Sequence, residues 1–322
     1  MKDTGIILLN LGGPDSLGAV RPFLYNLFSD REIIRLGPAF MQRPLAWLIS
    51  TTRAPRARAY YKLIGGKSPI LDITKAQAEA LRKRLQADGL DLPVFIGMRY
   101  WRPFIEDAMR EINRQGIKRL VALSLYPHYS RATTGSSMTK FLSEVKKYPI
   151  EHCAVPSWFD HPLYIEALKD LLIKGLASFP EGDASDIHVL FSAHSLPQKF
   201  IDEGDPYLRE ILGTINSLAK KAPIKWRLGY QSKSGPVKWL EPSIEERLRE
   251  MAQEGVKKLL VVPISFVSDH IETLYEIDIL YKRIAADYGI TLKRTDSLNT
   301  HSLFIECLND LTLRALKEKG WA

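Results

Sequence analysis

Short apolar runs alternate along the chain with longer amphipathic stretches. The runs are rich in Val, Ile and Leu, a pattern typical of strands buried on both faces of a parallel sheet. Six of them are predicted to be strands: GIILLNL (5–11), LPVFIGM (92–98), IKRLVALSL (117–125), IHVLFSA (187–193), IKWRLGY (224–230) and VKKLLVVPI (256–264). Strands that alternate with helices in this way predict an α/β fold with mostly parallel sheets.

The chain also repeats one supersecondary unit. Residues 102–127, RPFIEDAMREINRQGIKRLVALSLYP, align without a gap with residues 241–266, EPSIEERLREMAQEGVKKLLVVPISF. Each copy reads as a helix that follows a proline and ends at a glycine, then basic residues and a strand. Such units can converge independently, but the unbroken register favours two similar lobes. We predict an N-terminal lobe at 1–155 and a C-terminal lobe at 156–322.

Composition narrows the class of protein. The 322 residues are 45% hydrophobic, enough to build two cores, and the net charge of +8 favours an anionic partner. That partner could be a nucleic acid, a phosphate or carboxylate ligand, or an acidic membrane surface. Two cysteines without a C-x-x-C pair argue against a disulfide scaffold or a structural zinc site and favour a reducing, cytoplasmic setting. No signal peptide and no apolar stretch of about 20 residues is evident.

Polar and aromatic residues follow the predicted strands. Ligands of open α/β sheets bind beyond the carboxyl ends of the strands, so these residues are candidates for a site. The segments are Asn10 with GGPDS, MRYW (98–101), YPHYS (126–130), SAHSLP (192–197), GYQSKSGPVKWL (229–240) and SFVSDHIE (265–272). None of them contains G-x-G-x-x-G, and GGKS (65–68) lacks the first glycine of a phosphate loop, so no nucleotide site is predicted.

An ordered set of motifs resembles the ferrochelatase family. The motifs are LLNLGGPDS, IGGKSPI, GMRYW, TTGSS, SAHSLP, GDPY, QSKSGPVKWLEPS and SDHIETLYE, and they extend from residue 5 to about residue 300. Each motif is weak alone, but the ordered set is specific. The resemblance implies a lyase that inserts Fe²⁺ into a porphyrin in the last steps of haem biosynthesis. It also implies two flavodoxin-like lobes with parallel sheets and a porphyrin cleft between them. Protoporphyrin IX is the expected substrate, with coproporphyrin III as the alternative.

The residue types fit this chemistry. A neutral imidazole can accept a proton near neutral pH and can bind a metal ion such as Fe²⁺. We therefore predict His194 and Glu272 as catalytic residues and metal ligands, with a buried core histidine as the alternative for His194. Asp269, His270 and Glu276 are predicted to form an accessory metal path, because Glu276 follows Glu272 by four residues on a helix. For Asp269, a helix-capping role is equally open.

The resemblance also implies the porphyrin contacts. They are Arg53, Tyr61, Ser68, Arg99, Tyr100, Tyr126, Trp239 and Phe266. The first three lie in or near a lip (about 40–68), where an arginine with hydroxyl donors suits a propionate. The lip segment 40–64 mixes Trp47 and leucines with arginines, a composition that suits an anionic membrane surface. An ordinary amphipathic helix packed on the core is the alternative.

The sequence lacks the cysteines with which some ferrochelatases bind an iron–sulfur cluster. Some ferrochelatases hold an iron–sulfur cluster through cysteines near the C-terminus and one after a YPxYS segment, whereas here Arg131 follows Ser130 and the chain ends in EKGWA. We predict no cluster and no permanently bound cofactor, with Fe²⁺ as the substrate metal. Porphyrin and iron are the expected partners, nucleic acid is not, and peripheral contact with an anionic membrane is compatible with a cytoplasmic location. Two alternatives stay open: a cobalt chelatase acting on a sirohydrochlorin-type ring, and a non-catalytic two-lobed metal- or haem-binding protein.

Overall fold

The chain forms two units, each built on its own parallel sheet. The computed structural model describes residues 3–179, 186–233 and 235–321. The first unit comprises Met1–Trp158 and Asn299–Ala322, and the second comprises Phe159–Leu298.

A four-stranded sheet organises the first unit. Its elements in chain order are β1 Thr4–Asn10, α1 Val20–Ser29, a 3₁₀ turn Ala39–Met41, α2 Gln42–Leu63, α3 Ile70–Ala87, β2 Val94–Met98, α4 Ile105–Arg114, β3 Arg119–Ser124, a π-helical turn Arg131–Gly135, α5 Ser136–Val145 and β4 Glu151–Val155. The strand order is β2-β1-β3-β4, and all pairs are parallel. Every residue of the central strand β1 is buried, because helices cover both faces of such a sheet.

The last helix of the chain, Ser302–Glu318, belongs to the first unit. It packs against α3, β3 and β4, and its residue Phe304 stacks on Trp158 with ring centroids 5.8 Å apart. Our division of the sequence at residues 155 and 156 placed this helix with the C-terminal lobe. The structure differs from that division because the apolar face of the helix is buried by elements far upstream in the chain.

The second unit repeats the architecture of the first. Its elements are α6 Pro162–Ala177, β5 Ile187–His194, α7 Gln198–Asp202, α8 Tyr207–Lys221, β6 Trp226–Gln231, α9 Ile244–Gln253, β7 Lys258–Pro263, the π-helix Glu272–Tyr281, α10 Lys282–Asp287 and β8 Thr291–Arg294. The strand order is β6-β5-β7-β8, again parallel throughout. The sheet packs on α9 and α10 through a core that includes Leu190, Leu248 and Val261.

The repeat seen in the sequence corresponds to matching elements. Helices α4 and α9 each have ten residues, and strands β3 and β7 each have six. Both strands run into a loop that leads to a π-helical segment. In each sheet the second strand of the unit lies at an edge beside the first, which is the flavodoxin-like order. The prediction of two similar α/β lobes is confirmed.

Candidate functional site

The end of β5 and the start of the π-helix meet in the second unit. His194 is the last residue of β5, and Glu272 is the first residue of the π-helix. Nδ1 of His194 lies 2.9 Å from Oε2 of Glu272, which is a hydrogen-bonding distance. The side chain of His194 is 29% exposed and that of Glu272 is 13% exposed, so a small ion can reach the pair.

The backbone of His194 is fixed on both sides. Its N–H donates to Oγ of Ser265 at 3.0 Å, and its carbonyl accepts from the hydroxyl of Tyr207 at 3.0 Å. The hydroxyls of Tyr207 and Ser265 are themselves 2.7 Å apart. Burial raises the pKa of Tyr207 far above its ordinary value, so this hydroxyl stays protonated and continues to donate. The imidazole is therefore presented from a rigid strand end.

The contact with Glu272 determines the tautomer of His194. A carboxylate can only accept a hydrogen bond, so Nδ1 of the imidazole must carry the hydrogen that it shares with Glu272. In the neutral ring, Nε2 is then the unprotonated nitrogen with its lone pair available. The arrangement directs the basic nitrogen of His194 away from Glu272.

Glu276 extends the acidic surface along the π-helix. Its Oε2 accepts from Oγ of Ser232 at 2.7 Å and from Nε2 of Gln231 at 3.2 Å, while the same amide donates to the carbonyl of Glu272 at 3.1 Å. Gln231 is the β6 residue paired with His194 in the sheet. Ser232 has a φ of 64°, a left-handed conformation that a serine adopts only at a cost. This backbone turn aims its hydroxyl at Glu276.

His194, Glu272 and Glu276 shift one another's pKa values. Burial lowers the pKa of His194, but the negative charge and hydrogen bond of Glu272 outweigh it, so the pKa lies above its ordinary value. Burial raises the pKa of Glu272, but the His194 ring opposes this and leaves it below its ordinary value. Burial and the charge of Glu272 raise the pKa of Glu276 to about 8. At neutral pH the metal-free site therefore holds an ionised Glu272 beside a mainly protonated Glu276.

His270 is a second histidine close to Glu272. Its side chain is almost fully buried, and its Nδ1 lies 3.0 Å from the carbonyl of Ser268, to which it donates. Its Nε2 makes no hydrogen bond within the described part of the chain and lies 3.9 Å from Oε2 of Glu272. The ring packs on Phe266 with centroids 4.2 Å apart, and burial lowers the pKa of His270 below its ordinary value. The site thus contains a second, neutral imidazole close to the first carboxylate.

Asp269 faces in a different direction. Its Oδ1 accepts hydrogen bonds from Ser297, Thr273 and Arg294 at 2.8, 3.0 and 3.1 Å. These contacts anchor the loop that precedes the π-helix. All three partners are side chains, so these contacts do not show the backbone-capping role that the sequence left open for Asp269.

In the first unit, Arg99 and Tyr100 surround Asp30. Oδ2 of Asp30 accepts from Nη2 of Arg99 and from the hydroxyl of Tyr100, each at 2.7 Å. Ser136, the first residue of α5, hydrogen-bonds to all three side chains. Tyr100 is 1% exposed, whereas the side chain of Arg99 is 21% exposed. Of this pair, Arg99 is therefore the residue that an external ligand can reach.

The remaining predicted porphyrin contacts differ in exposure. Tyr61, Ser68 and Tyr126 are buried in the first unit. Arg53 is exposed on α2, with its guanidinium 5.3 Å from the centroid of Phe28. Trp239 is half-buried in the second unit, where it bridges to Pro197. The contact of any of these residues with a porphyrin stays a prediction.

His194 and Glu272 form a pair of potential metal ligands. Across residues 3–179, 186–233 and 235–321, no three His, Cys, Asp or Glu side chains are arranged to hold a metal ion. Oε2 of Glu272 is already engaged by Nδ1 of His194 at 2.9 Å.

Comparison with known proteins places this arrangement in a class. The fold is similar to that of the sirohydrochlorin chelatase SirB from Bacillus subtilis subspecies spizizenii in complex with cobalt, with a TM-score of 0.55 at 14% identity over 99% of this chain and 98% of that one. The likeness shows that this chain shares the two-sheet α/β fold of that protein.

Sequence comparison identifies the family. The ferrochelatase family model matches residues 3–316. The chain is 54% identical to the ferrochelatase of Desulfotalea psychrophila over 97% of both chains, and 51% identical to that of Geotalea uraniireducens over 99% of both. The chain belongs to the ferrochelatase family, whose members are lyases that insert iron into a porphyrin in haem biosynthesis. Porphyrin and iron are its substrates, as the motifs of the sequence implied.

Proposed function

We propose that His194, Glu272 and Glu276 carry out the iron insertion. The observation that supports this most directly is the 2.9 Å contact between His194 and Glu272, which presents a basic nitrogen and a carboxylate at one accessible point. Glu276 adds a second carboxyl group one turn further along the π-helix. Asp269 is assigned to holding the helix, and His270 to supporting Glu272 from behind.

The reaction needs two protons to leave the porphyrin as Fe²⁺ enters. Fe²⁺ first exchanges water for the oxygens of Glu276 and Glu272, and Glu276 loses its proton because the cation stabilises the ionised carboxylate. The positive charge of the ion also offsets the negative charge of Glu272 that stabilises protonated His194. The pKa of His194 therefore falls, and its ring becomes neutral. Arrival of iron thereby frees Nε2 of His194.

Nε2 then accepts one pyrrole proton, and the nitrogen lone pair left on the porphyrin binds the ion. As Fe²⁺ passes from the glutamates to the ring, their negative charge is uncovered again. Glu276 can then take up the second pyrrole proton directly or through water, because its pKa of about 8 favours the protonated form. The two pyrrole protons thus replace the two that Glu276 and His194 released when iron arrived, and the site returns to its starting charge.

We also propose protoporphyrin IX as the porphyrin, with coproporphyrin III as the alternative. Arg53 and Arg99 are proposed to meet its propionates, since both are at least partly exposed and an arginine can bind a carboxylate through two parallel hydrogen bonds. Trp239 and Phe266 are proposed to contact the ring face. Comparing turnover of the two porphyrins, which differ in their number of carboxylates, discriminates between them.

Two further proposals concern what the protein holds and where it works. We propose that it carries no iron–sulfur cluster or other resident cofactor, because its two cysteines are fewer than the four thiolates that such clusters use, and Cys307 is buried in the core of the first unit. We also propose a cytoplasmic location with peripheral contact to anionic membrane. Within the described residues, no helix is both long enough and apolar enough to cross a bilayer.

The roles of His194 and Glu272 can be separated by kinetics. His194→Ala is expected to bind porphyrin normally but to lose at least ~10²-fold in kcat, the usual effect of losing a general base. Glu272→Gln is expected to raise the KM for Fe²⁺, and its rate should recover in part at high iron, because the amide keeps the shape but not the charge. The assay is anaerobic haem formation followed by absorption.

A matched control is His188→Ala, which removes a histidine six residues earlier on the same strand. It should leave kcat and both KM values unchanged. Full recovery of His194→Ala on raising Fe²⁺ would show that His194 only collects the metal, and the proton-acceptor role would then pass to His270 or a carboxylate.

A further inference from the structure

Arg294 connects two widely spaced points of the π-helix region. It is the last residue of β8, and its side chain is 10% exposed. Its Nε and Nη2 donate to the two carboxylate oxygens of Asp278, each at 2.8 Å. Its Nη1 donates to Oδ1 of Asp269 at 3.1 Å. One guanidinium therefore ties the loop before the π-helix to a residue in its last half.

The Asp269 end of this connection is itself braced. Thr273 donates to Oδ1 of Asp269, and the same hydroxyl accepts the backbone N–H of His270 at 3.1 Å. Ser297, which follows β8, donates to the same oxygen at 2.8 Å. The loop, the first turn of the π-helix and the end of β8 are thus joined through one carboxylate oxygen.

A helix of this type needs such support. The π-helix is rare, and longer examples give up the tighter hydrogen-bond geometry of the α-helix. This one runs for ten residues and starts without a side-chain cap, since Ile271 precedes it. Relaxation towards an α-helix would rotate Glu276 relative to Glu272 and draw it away from Ser232 and Gln231.

We propose that Arg294 is a positioning residue for iron uptake. By holding Asp269 and Asp278 it fixes the π-helix so that Glu272 stays beside His194 and Glu276 stays beside Ser232. The proposal rests on the proposed function, in which the two glutamates take up Fe²⁺. Arg294 contacts neither glutamate, so its effect on iron is exerted through the helix.

The direction in which loss of Arg294 changes the affinity for Fe²⁺ distinguishes a positioning role from a purely electrostatic one. Removing a positive charge near a cation site should, through the field alone, attract Fe²⁺ more strongly. Releasing Asp269 as an additional carboxylate would act in the same direction. Loss of the helix geometry acts in the opposite direction, because the two glutamates no longer meet one ion together.

The test compares Arg294→Met with Arg283→Met by measuring the KM for Fe²⁺ at saturating porphyrin. Arg283 is an exposed arginine on α10, directly after the π-helix, and it serves as a control for the lost charge. We expect Arg294→Met to raise the KM for Fe²⁺ about tenfold or more, the usual effect of removing a residue that orients metal ligands. The KM for porphyrin should not change, and Arg283→Met should behave as the unaltered protein. Arg294→Lys should recover only part of the loss, because an ammonium cannot hold both carboxylates in the same geometry.

Asp278→Asn tests the other end of the connection and covers the case in which Arg294→Met fails to fold. The side chain of Asp278 is 36% exposed, so this substitution should fold, and it should raise the KM for Fe²⁺ in the same direction. An unchanged or lower KM for Fe²⁺ in both Arg294→Met and Asp278→Asn, with or without a lower melting temperature, overturns the positioning role. If Glu272→Gln also leaves that KM unchanged, the proposed function fails as well; if Glu272→Gln raises it, the positioning role alone is wrong.

Discussion

At the residue scale, two glutamates in one turn of the π-helix differ in their ionisation. Glu272 is held in its charged form by His194, whereas Glu276 has a pKa of about 8 because it is buried beside that charge. The metal-free protein therefore stores one negative charge across two carboxyl groups. Uptake of a divalent cation at these glutamates, as proposed above, would favour the ionised form of Glu276.

The raised pKa of Glu276 should make the stability of the protein depend on pH. A carboxyl group with an ordinary pKa of 4.5 that rises to about 8 on folding binds more protons in the folded than in the unfolded state between these pH values. The free energy of unfolding therefore falls as the pH rises through that range. Glu276→Gln cannot ionise and can still accept from Ser232. We therefore expect it to be more stable than the unaltered protein at pH 8.5, by roughly 4 kcal/mol, because each unit of raised pKa corresponds to about 1.4 kcal/mol.

The measurement is the denaturant midpoint at pH 5 and pH 8.5. The two proteins should be close at pH 5 and should separate as the pH rises. Glu241→Gln, which alters a glutamate with a side chain 64% exposed in the same unit, is the control and should show no such separation. A difference between Glu276→Gln and the unaltered protein that shrinks with rising pH would contradict the raised pKa.

Part of this site was predictable from the sequence. His194 and Glu272 lie at or after the ends of strands β5 and β7, which made them candidates. The ferrochelatase resemblance then selected them, and the four-residue spacing added Glu276. Their close approach is confirmed, although their roles stay predictions. Gln231 and Ser232 lie in the candidate segment 229–240, but no pattern in the sequence indicates that they hydrogen-bond to Glu276. Their role depends on the pairing of β5 with β6 and on one left-handed residue, neither of which leaves a clear signal in the sequence.

At the element scale, the π-helix was expected to be an ordinary helix start. Residues at i and i+4 share a face in an α-helix and remain near one another in a wider helix, so spacing alone does not separate the two. Strands β4 and β8 were not among the six predicted. The first, Glu151–Val155, is only partly buried, and the second, Thr291–Arg294, has four residues and ends in two basic ones. Edge strands such as these lack the apolar run on which the prediction depended.

The 3₁₀ turn Ala39–Met41 and the start of α2 expose apolar side chains that are relevant to membrane contact. Phe40, Trp47 and Leu48 are 78%, 55% and 52% exposed, and Arg43 beside them is also exposed. Apolar side chains of this size next to basic ones suit the interface of an anionic bilayer. The exposure disfavours the alternative in which these particular side chains pack on the core.

We therefore expect binding to vesicles that contain anionic lipid. Trp47→Ala should weaken that binding because it removes an aromatic side chain that favours the interface, and added salt should weaken it because ions screen the arginines. Co-sedimentation with vesicles of phosphatidylcholine and phosphatidylserine measures both effects. Tyr288→Ala is the control, since it removes another exposed aromatic residue outside this element. Absence of vesicle binding at low salt would refute the membrane role of α2.

At the scale of the whole molecule, the sequence shows the duplication but does not show in which unit the last helix packs. An ungapped repeat identifies two similar units because helix, glycine and strand keep their order in both. The C-terminal helix has no counterpart in that repeat, and its partners lie far back in the chain. Arg84 of α3 and Asp88 directly after it, for example, bind Glu306 and Asn309 of that helix. Only tertiary packing assigns it to the first unit.

This assignment predicts which part of the protein responds to a defect in the last helix. Phe304 is fully buried against Trp158, so Phe304→Ala should cost about 3–5 kcal/mol through lost burial and a cavity. Because local opening follows cooperative units, amide hydrogen exchange should speed up in β1 to β4 and α3, although the substitution lies after the whole second unit in the chain. Exchange in β5 to β8 should stay unchanged. Phe191→Ala, an equally buried phenylalanine on β5, should give the reciprocal pattern. Faster exchange in β5 to β8 with protection retained in β1 to β4 after Phe304→Ala would show that the last helix is energetically part of the second unit.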